Sequence, residues 1–100
     1  MLDAFNALLE ARDPAQGHFR SYRLEAGTDL LGAWLVDVTF GRIGTAGRRI
    51  RYLLSSEAEA QELVSQTLRR RSTAKKRIGT SYRFRELHDP GNWYPLRLES

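Results

Sequence analysis

Cysteine is absent from this 100-residue sequence, and histidine, proline and methionine are scarce. Without cysteine the chain has no disulfide scaffold, no zinc finger and no thiol nucleophile. Long hydrophobic runs are also missing, because the longest uncharged apolar stretch, residues 30–36, stops at Asp37 and is far shorter than the roughly 20 residues that span a bilayer. The opening Met-Leu-Asp lacks the basic region of a signal peptide. We therefore expect a soluble, cytoplasmic protein with no membrane partner.

The residues that usually carry catalysis or metal binding are few and scattered. His18 and His88 lie in segments without a recognisable serine or acidic partner, so they indicate neither a catalytic base nor a metal site. The Gly-Arg-Ile-Gly string at residues 41–44 lacks the Gly-Lys-Ser/Thr ending of a phosphate-binding loop. The sequence thus predicts a protein that is not an enzyme and that holds no metal or cofactor.

The N-terminal segment has helical spacing. Its apolar residues within residues 2–12 are Leu2, Phe5, Leu8 and Leu9. They recur at intervals of three and four, and Pro14 prevents continuation of a helix. We therefore expect a short N-terminal helix, and we divide the chain into a helical extension, residues 1–16, and a single domain, residues 17–100.

Four later segments have the composition or the two-residue alternation of β-strands. They cover residues 18–25, 33–40, 48–54 and 82–87. Glycines at positions 41, 44 and 47 predict a turn between the second and third segments, which should therefore form an antiparallel hairpin.

A longer helix should follow this hairpin. Ser56 and Glu59 have the spacing of a capping box, in which each side chain accepts a hydrogen bond from a free amide of the first turn. Apolar residues then recur at helical spacing, namely Ala60, Leu63, Val64, Thr67 and Leu68. Three arginines at residues 69–71 suit the negative end of the helix dipole. The predicted fold class is α+β, an antiparallel sheet with one main helix packed on a face, plus the short N-terminal helix.

Basic residues are concentrated in the middle of the chain. Between Val38 and Arg85 there are twelve arginines and lysines and three glutamates, a local balance of +9 in a chain whose net charge is +4. Most are arginines, whose planar guanidinium pairs with phosphate through two hydrogen bonds. This block favours a polyanionic partner; the alternative is a solvated surface that only keeps the protein soluble.

One segment has a more specific pattern. Residues 39–47 read Thr-Phe-Gly-Arg-Ile-Gly-Thr-Ala-Gly, preceded by an aromatic strand and followed by a capped helix, a basic connector and a closing Trp-Tyr-Pro-Leu. This string with its ordered flanks resembles the WGR domain, known from poly(ADP-ribose) polymerases and from small stand-alone bacterial proteins. The resemblance covers roughly residues 19–98, and phenylalanine stands where the family has its signature tryptophan.

The resemblance implies a set of DNA-contacting residues. In the polymerases the signature tryptophan stacks on sugar or base at a DNA break and the arginine contacts DNA, so these roles fall to Phe40 and Arg42 here. Strand alternation alone leaves Phe40 a candidate for the core. The candidate nucleic-acid-binding residues are Phe40, Gly41, Arg42, Arg48, Arg49, Arg51, Lys75, Lys76, Arg77 and Tyr82. For the lysines and arginine of the connector, the alternative is a cluster of cations that interacts favourably with the negative, C-terminal end of the helix dipole.

We therefore expect a non-catalytic nucleic-acid-binding module that prefers DNA ends or nicks and has little sequence specificity. The competing expectation is a protein-interaction module that docks on an acidic partner, since the family's arginine also contacts neighbouring domains. ADP-ribosyl transfer needs a separate transferase domain, for which 100 residues leave no room. We expect a monomer.

Overall fold

The computed structural model describes residues 2–72 and 82–93, which form a five-stranded antiparallel sheet with one α-helix on one side. The strands are β1 (Phe5–Asp13), β2 (His18–Thr28), β3 (Trp34–Arg42), β4 (Arg48–Leu54) and β5 (Arg83–His88), and helix α1 spans Glu57–Ser72. Their order across the sheet is β4-β3-β2-β1-β5. The α+β class and the predicted hairpin are confirmed. No helix in these described ranges is long and apolar enough to cross a membrane.

The N-terminal helix predicted for residues 2–12 is wrong. This segment contains β1, which lies inside the sheet between β2 and β5 and is followed by a 3-10 turn at Pro14–Gln16. Its buried residues alternate, since Phe5, Ala7, Leu9 and Ala11 all face the same side. Two of these four residues are alanines, which by themselves favour a helix. Hydrogen bonds from β1 to two neighbouring strands override that local preference.

The core lies between α1 and one side of the sheet, which we call the helix side. Helix α1 buries Ala60, Val64 and Leu68 in one cluster with strand residues such as Leu24 and Val36. At one end of the core, the ring of Trp93 packs on Phe5 and Trp34, at centroid distances of 6.1 and 5.8 Å. The tryptophan that follows β5 therefore closes this end of the core.

The predicted capping box forms at the start of α1, but the glutamate accepts its hydrogen bond from an amide one residue earlier than expected. The Glu59 amide donates to Ser56 Oγ at 3.2 Å, as expected. The Glu59 carboxylate accepts from the Ser55 amide at 2.9 Å rather than from the amide of Ser56 itself. Both bonds satisfy donors that the first turn would leave unpaired, so the cap determines where α1 begins.

The other side of the sheet, which we call the open side, balances its charges. The Asp37 carboxylate is only 4% exposed and accepts two hydrogen bonds from Arg51, at 2.7 and 2.8 Å, with Arg49 Nη1 3.9 Å away. Farther along, the Arg23 guanidinium contacts Glu86 at 3.1 Å. Hydrogen bonding by Arg51 holds the pKa of the Asp37 carboxyl below its ordinary value.

Two glycines allow the β3–β4 hairpin to close. Beyond the last paired residues, Phe40 and Arg48, the backbones of Gly41 and Gly47 come so near that a Cβ on Gly41 would lie 2.8 Å from Gly47 Cα. Gly47 also has φ +70°. A Cβ there would lie 2.6 Å from the carbonyl oxygen of Phe40. The hairpin geometry that positions Phe40 therefore requires glycine at 47 on two grounds.

Replacing Gly47 with alanine should destabilise the protein more than replacing Gly44 with alanine. Gly44 also has positive φ, +89°, but a Cβ there meets nothing within 4 Å, so Gly44→Ala carries only the left-handed strain of about 1–2 kcal/mol. Gly47→Ala adds an overlap with backbone. Urea unfolding of both variants measures the difference in free energy of unfolding, and equal losses would contradict the close approach.

The Asp37–Arg51 pair should make stability fall in acid. Because the folded-state pKa of Asp37 is depressed, its stabilising contribution is present above the unfolded-state pKa of about 3.9 and is lost as pH falls through the lower folded-state value. Asp37→Asn should therefore reduce stability at neutral pH and flatten the pH dependence below about pH 4. Urea midpoints measured from pH 2 to 7 check this. The control Glu86→Gln alters an exposed pair and should keep the wild-type profile.

Candidate nucleic-acid interface

Phe40 lies at the edge of the core, at the end of the sheet away from Trp93. On the helix side its neighbours across the strands are Tyr22 on β2 and Arg48 on β4. Its ring lies nearly parallel to that of Tyr22, with centroids 6.3 Å apart and planes 22° apart, and it remains 36% exposed. Phe40 is thus supported by Tyr22 and keeps surface available to a ligand.

Three arginines occupy strand positions next to Phe40 or within two residues of it across the β2–β3–β4 register. Arg48 pairs directly with Phe40, Arg42 follows it on β3, and Arg20 pairs with Arg42. All three are exposed, and none forms an ion pair with a carboxylate in the described parts of the chain. The Arg42 guanidinium lies 5.2 Å from the ring centroid of Phe19. By alternation Phe19 belongs to the open side, so the Arg42 guanidinium lies at the boundary between the two sides at this end of the sheet.

The C-terminal turns of α1 bring further arginines to the same end of the sheet. The Arg71 guanidinium lies over the ring of Tyr22 at 4.6 Å and near that of Tyr82 at 5.7 Å, distances typical of cation–π contacts. Burial raises the pKa of the Tyr22 phenol, although the nearby Arg71 opposes this. Tyr22 is therefore neutral at physiological pH. These contacts hold one arginine of α1 in a defined position.

A groove runs between α1 and strands β3 and β4. It has a volume of about 370 Å³ and is lined by Tyr22, Phe40, Tyr52, Thr67, Arg70 and Arg71. Val38 and Ile50, which pair across the two strands, form its floor. We call this the aromatic groove. Its described lining contains three aromatic rings and two arginines and no carboxylate, a combination suited to an anion that carries a flat ring.

The arginines of β4 lie on different sides of the sheet. Arg48 shares the helix side with Phe40, whereas Arg49 and Arg51 are on the open side beside Asp37. Alternation along the strand imposes this separation. The structure therefore places Arg48 beside Phe40 and separates Arg49 and Arg51 from it, while the Arg42 guanidinium lies over Phe19.

The remaining predicted residues have different positions. Gly41 lies in the hairpin, next to Gly47. Tyr82 is half-buried and packs edge-on against Tyr22, at a centroid distance of 6.4 Å. The connector residues Lys75, Lys76 and Arg77 lie outside the described residues.

Sequence reasoning missed part of this surface. Arg20 could not be selected because only the β2–β3 register places it opposite Arg42. Tyr52 was not selected either, although it is 41% exposed because β4 is an edge strand. Arg70 and Arg71 were attributed to the helix dipole, and nothing in the sequence showed which strands they would approach.

The described residues contain no group of three or more histidine, aspartate or glutamate side chains able to hold a metal ion. The acids near the start of α1 instead support the helix, as the Glu59 cap shows.

Comparison with known families agrees with the motif at residues 39–47. The sequence model of the WGR domain matches residues 5–81. This match begins inside β1, earlier than the residue 19 expected from the resemblance, because β1 is a strand of the sheet. No curated protein matches the chain significantly. Since the family match covers more than half of the sequence, the chain belongs to the WGR domain family.

Proposed function

We propose that this protein is a non-catalytic module that binds DNA, with a preference for ends or nicks and little sequence specificity. The WGR domain is a nucleic-acid-binding type of module in the poly(ADP-ribose) polymerases, and this chain has the same domain over residues 5–81.

The observation that carries the proposal is the set of arginines around the exposed ring of Phe40. The basic cluster consists of Arg20, Arg42, Arg48, Arg70 and Arg71. Guanidinium groups neutralise backbone phosphates and release counterions, which supplies most of the affinity in binding that is independent of sequence. On the open side Asp37 and Glu86 already compensate Arg51 and Arg23, whereas Arg20, Arg42 and Arg48 form no ion pair with a carboxylate of the described residues.

The preference for ends follows from the position of Phe40. One side of its ring is occupied by Tyr22, so only the remaining exposed surface can stack on a ligand. Bases inside an intact duplex are already stacked on both faces, whereas an end or nick exposes a base or sugar. The described lining of the aromatic groove contains no asparagine or glutamine, the side chains that read adenine.

Binding to duplex DNA should depend strongly on salt. Neutralisation of four to six phosphates gives a slope of about −4 to −5 for log K against log salt, with affinity in the micromolar range at physiological salt. Fluorescence anisotropy with a short labelled duplex at several salt concentrations measures the slope. A slope near zero, or no binding at low salt, would refute the proposal.

The end preference can be measured with duplexes of equal length. A blunt duplex and a nicked duplex should bind about fivefold more tightly than a dumbbell whose ends are closed by loops, as expected for one modest stacking contact. NMR titration should show shifts at Arg42 with all three duplexes and at Phe40 with the first two only. Equal affinities and identical shifts for all three duplexes would mean that the protein binds phosphates but does not recognise DNA ends.

Neighbouring arginines of β4 provide a matched pair of variants. Arg48→Ala should weaken DNA binding and reduce the salt slope by about 1, whereas Arg49→Ala, on the open side, should change neither. Both substitutions remove one positive charge, so the comparison separates position from net charge. Equal losses in the two variants would place the DNA elsewhere.

A further inference from the structure

The aromatic groove extends well beyond Phe40. Pairing between β3 and β4 places Phe40 opposite Arg48, Val38 opposite Ile50 and Val36 opposite Tyr52, all on the helix side. Phe40 and Tyr52 therefore stand on rows separated by about 13 Å, with the Val38–Ile50 pair between them. The groove thus has a partly exposed ring at each end and an aliphatic floor, which is more than end stacking on Phe40 requires.

The two long sides of the groove differ. Along one side α1 contributes Thr67, Arg70 and Arg71. The other side borders β4, an edge strand of the sheet, so no further strand closes it among the described residues. A polymer can therefore leave the groove across β4 while a single unit of it occupies the interior.

Charge distinguishes this groove from the larger cavity on the open side. That cavity, of about 450 Å³, is lined by Arg49 and Arg51 but also by Glu25, Asp29 and Asp37. Its carboxylates would repel a phosphate group. The described lining of the aromatic groove contains arginines and tyrosines but no carboxylate, so no described lining residue repels a phosphate.

We propose that the aromatic groove binds one unpaired DNA nucleotide, with its base against Tyr52 and the Val38–Ile50 floor and its phosphate beside Arg71 on the α1 side. This inference rests on the proposed DNA-binding function. The volume of about 370 Å³ is at the lower end of the roughly 300–1,000 Å³ typical of small-ligand pockets, so a single nucleotide fits and a base-paired duplex does not. The favoured DNA end therefore carries a single-stranded overhang.

Aromatic surface favours a nucleotide over an acidic peptide. A carboxylate side chain would satisfy the arginines but would leave the exposed faces of Phe40 and Tyr52 without a partner. Every base has a flat π-face that stacks on such rings whatever its identity, and arginine at the rim holds the backbone. The groove therefore recognises an unstacked base without reading its sequence.

The test uses the full chain and labelled duplexes that share one sequence and differ at one end. One end is blunt, one carries a short thymidine overhang, and one carries an abasic overhang with the same phosphates but no bases. The thymidine overhang should bind about tenfold more tightly than the abasic one, as expected for one stacked base. This comparison removes charge as an explanation.

Substitutions assign the effect to the groove. Tyr52→Ala should abolish the difference between thymidine and abasic overhangs, and Tyr52→Phe should keep that difference because the ring remains. Leu53→Ala is the matched control, since Leu53 is 72% exposed on the open side next to Tyr52 in the chain. Thermal unfolding verifies that each variant is folded.

The outcomes separate this inference from the proposed function. Equal affinity for thymidine and abasic overhangs, or equal effects of Tyr52→Ala and Leu53→Ala, overturns the nucleotide groove while salt-dependent binding to blunt duplex still supports the DNA-binding module. Absence of binding to every duplex overturns both. Displacement of the overhang by poly-glutamate at lower concentration than by a thymidine oligonucleotide would assign the groove to an acidic peptide instead.

Discussion

Successive side chains of a β-strand point to opposite sides of the sheet, and α1 covers only one of those sides. This geometry determines the role of every arginine near the hairpin. Arg48 stands beside Phe40, whereas Arg49, one peptide bond away, faces the carboxylate of Asp37. The basic middle of the chain is therefore divided into two surfaces with different chemistry.

The two surfaces differ in their acids more than in their bases. On the open side a nearly buried Asp37 is hydrogen-bonded by Arg51, and Arg23 pairs with Glu86, so positive charge is compensated within the fold. Near Phe40, by contrast, Arg20, Arg42 and Arg48 form no ion pair with a carboxylate of the described residues. An external polyanion would compensate these charges.

Aromatic residues have different roles at the two ends of the core. At one end Trp93 packs on Phe5 and Trp34 and seals the apolar interior. At the other end the neutral ring of Tyr22 contacts the ring of Phe40 and also the Arg71 guanidinium. Tyr22 therefore links the buried core to these two surface residues. The smaller ring of phenylalanine at the signature position keeps a π-face but has less stacking area than tryptophan. Tyr52 adds exposed aromatic surface in the same groove.

Local signals in the chain were enough to predict β2, β3, β4 and α1, because alternation, the glycine turn and the Ser56–Glu59 cap each act within a few residues. The signature string also identified the family. Strand β1 could not be recognised, since its leucines and alanines fit a helix as well as a strand and only pairing with β2 and β5 selects the strand. Arg70 and Arg71 line the same groove as Phe40 because Val64 and Leu68 pack α1 across the sheet. That packing is a long-range contact, which no local pattern of residues encodes.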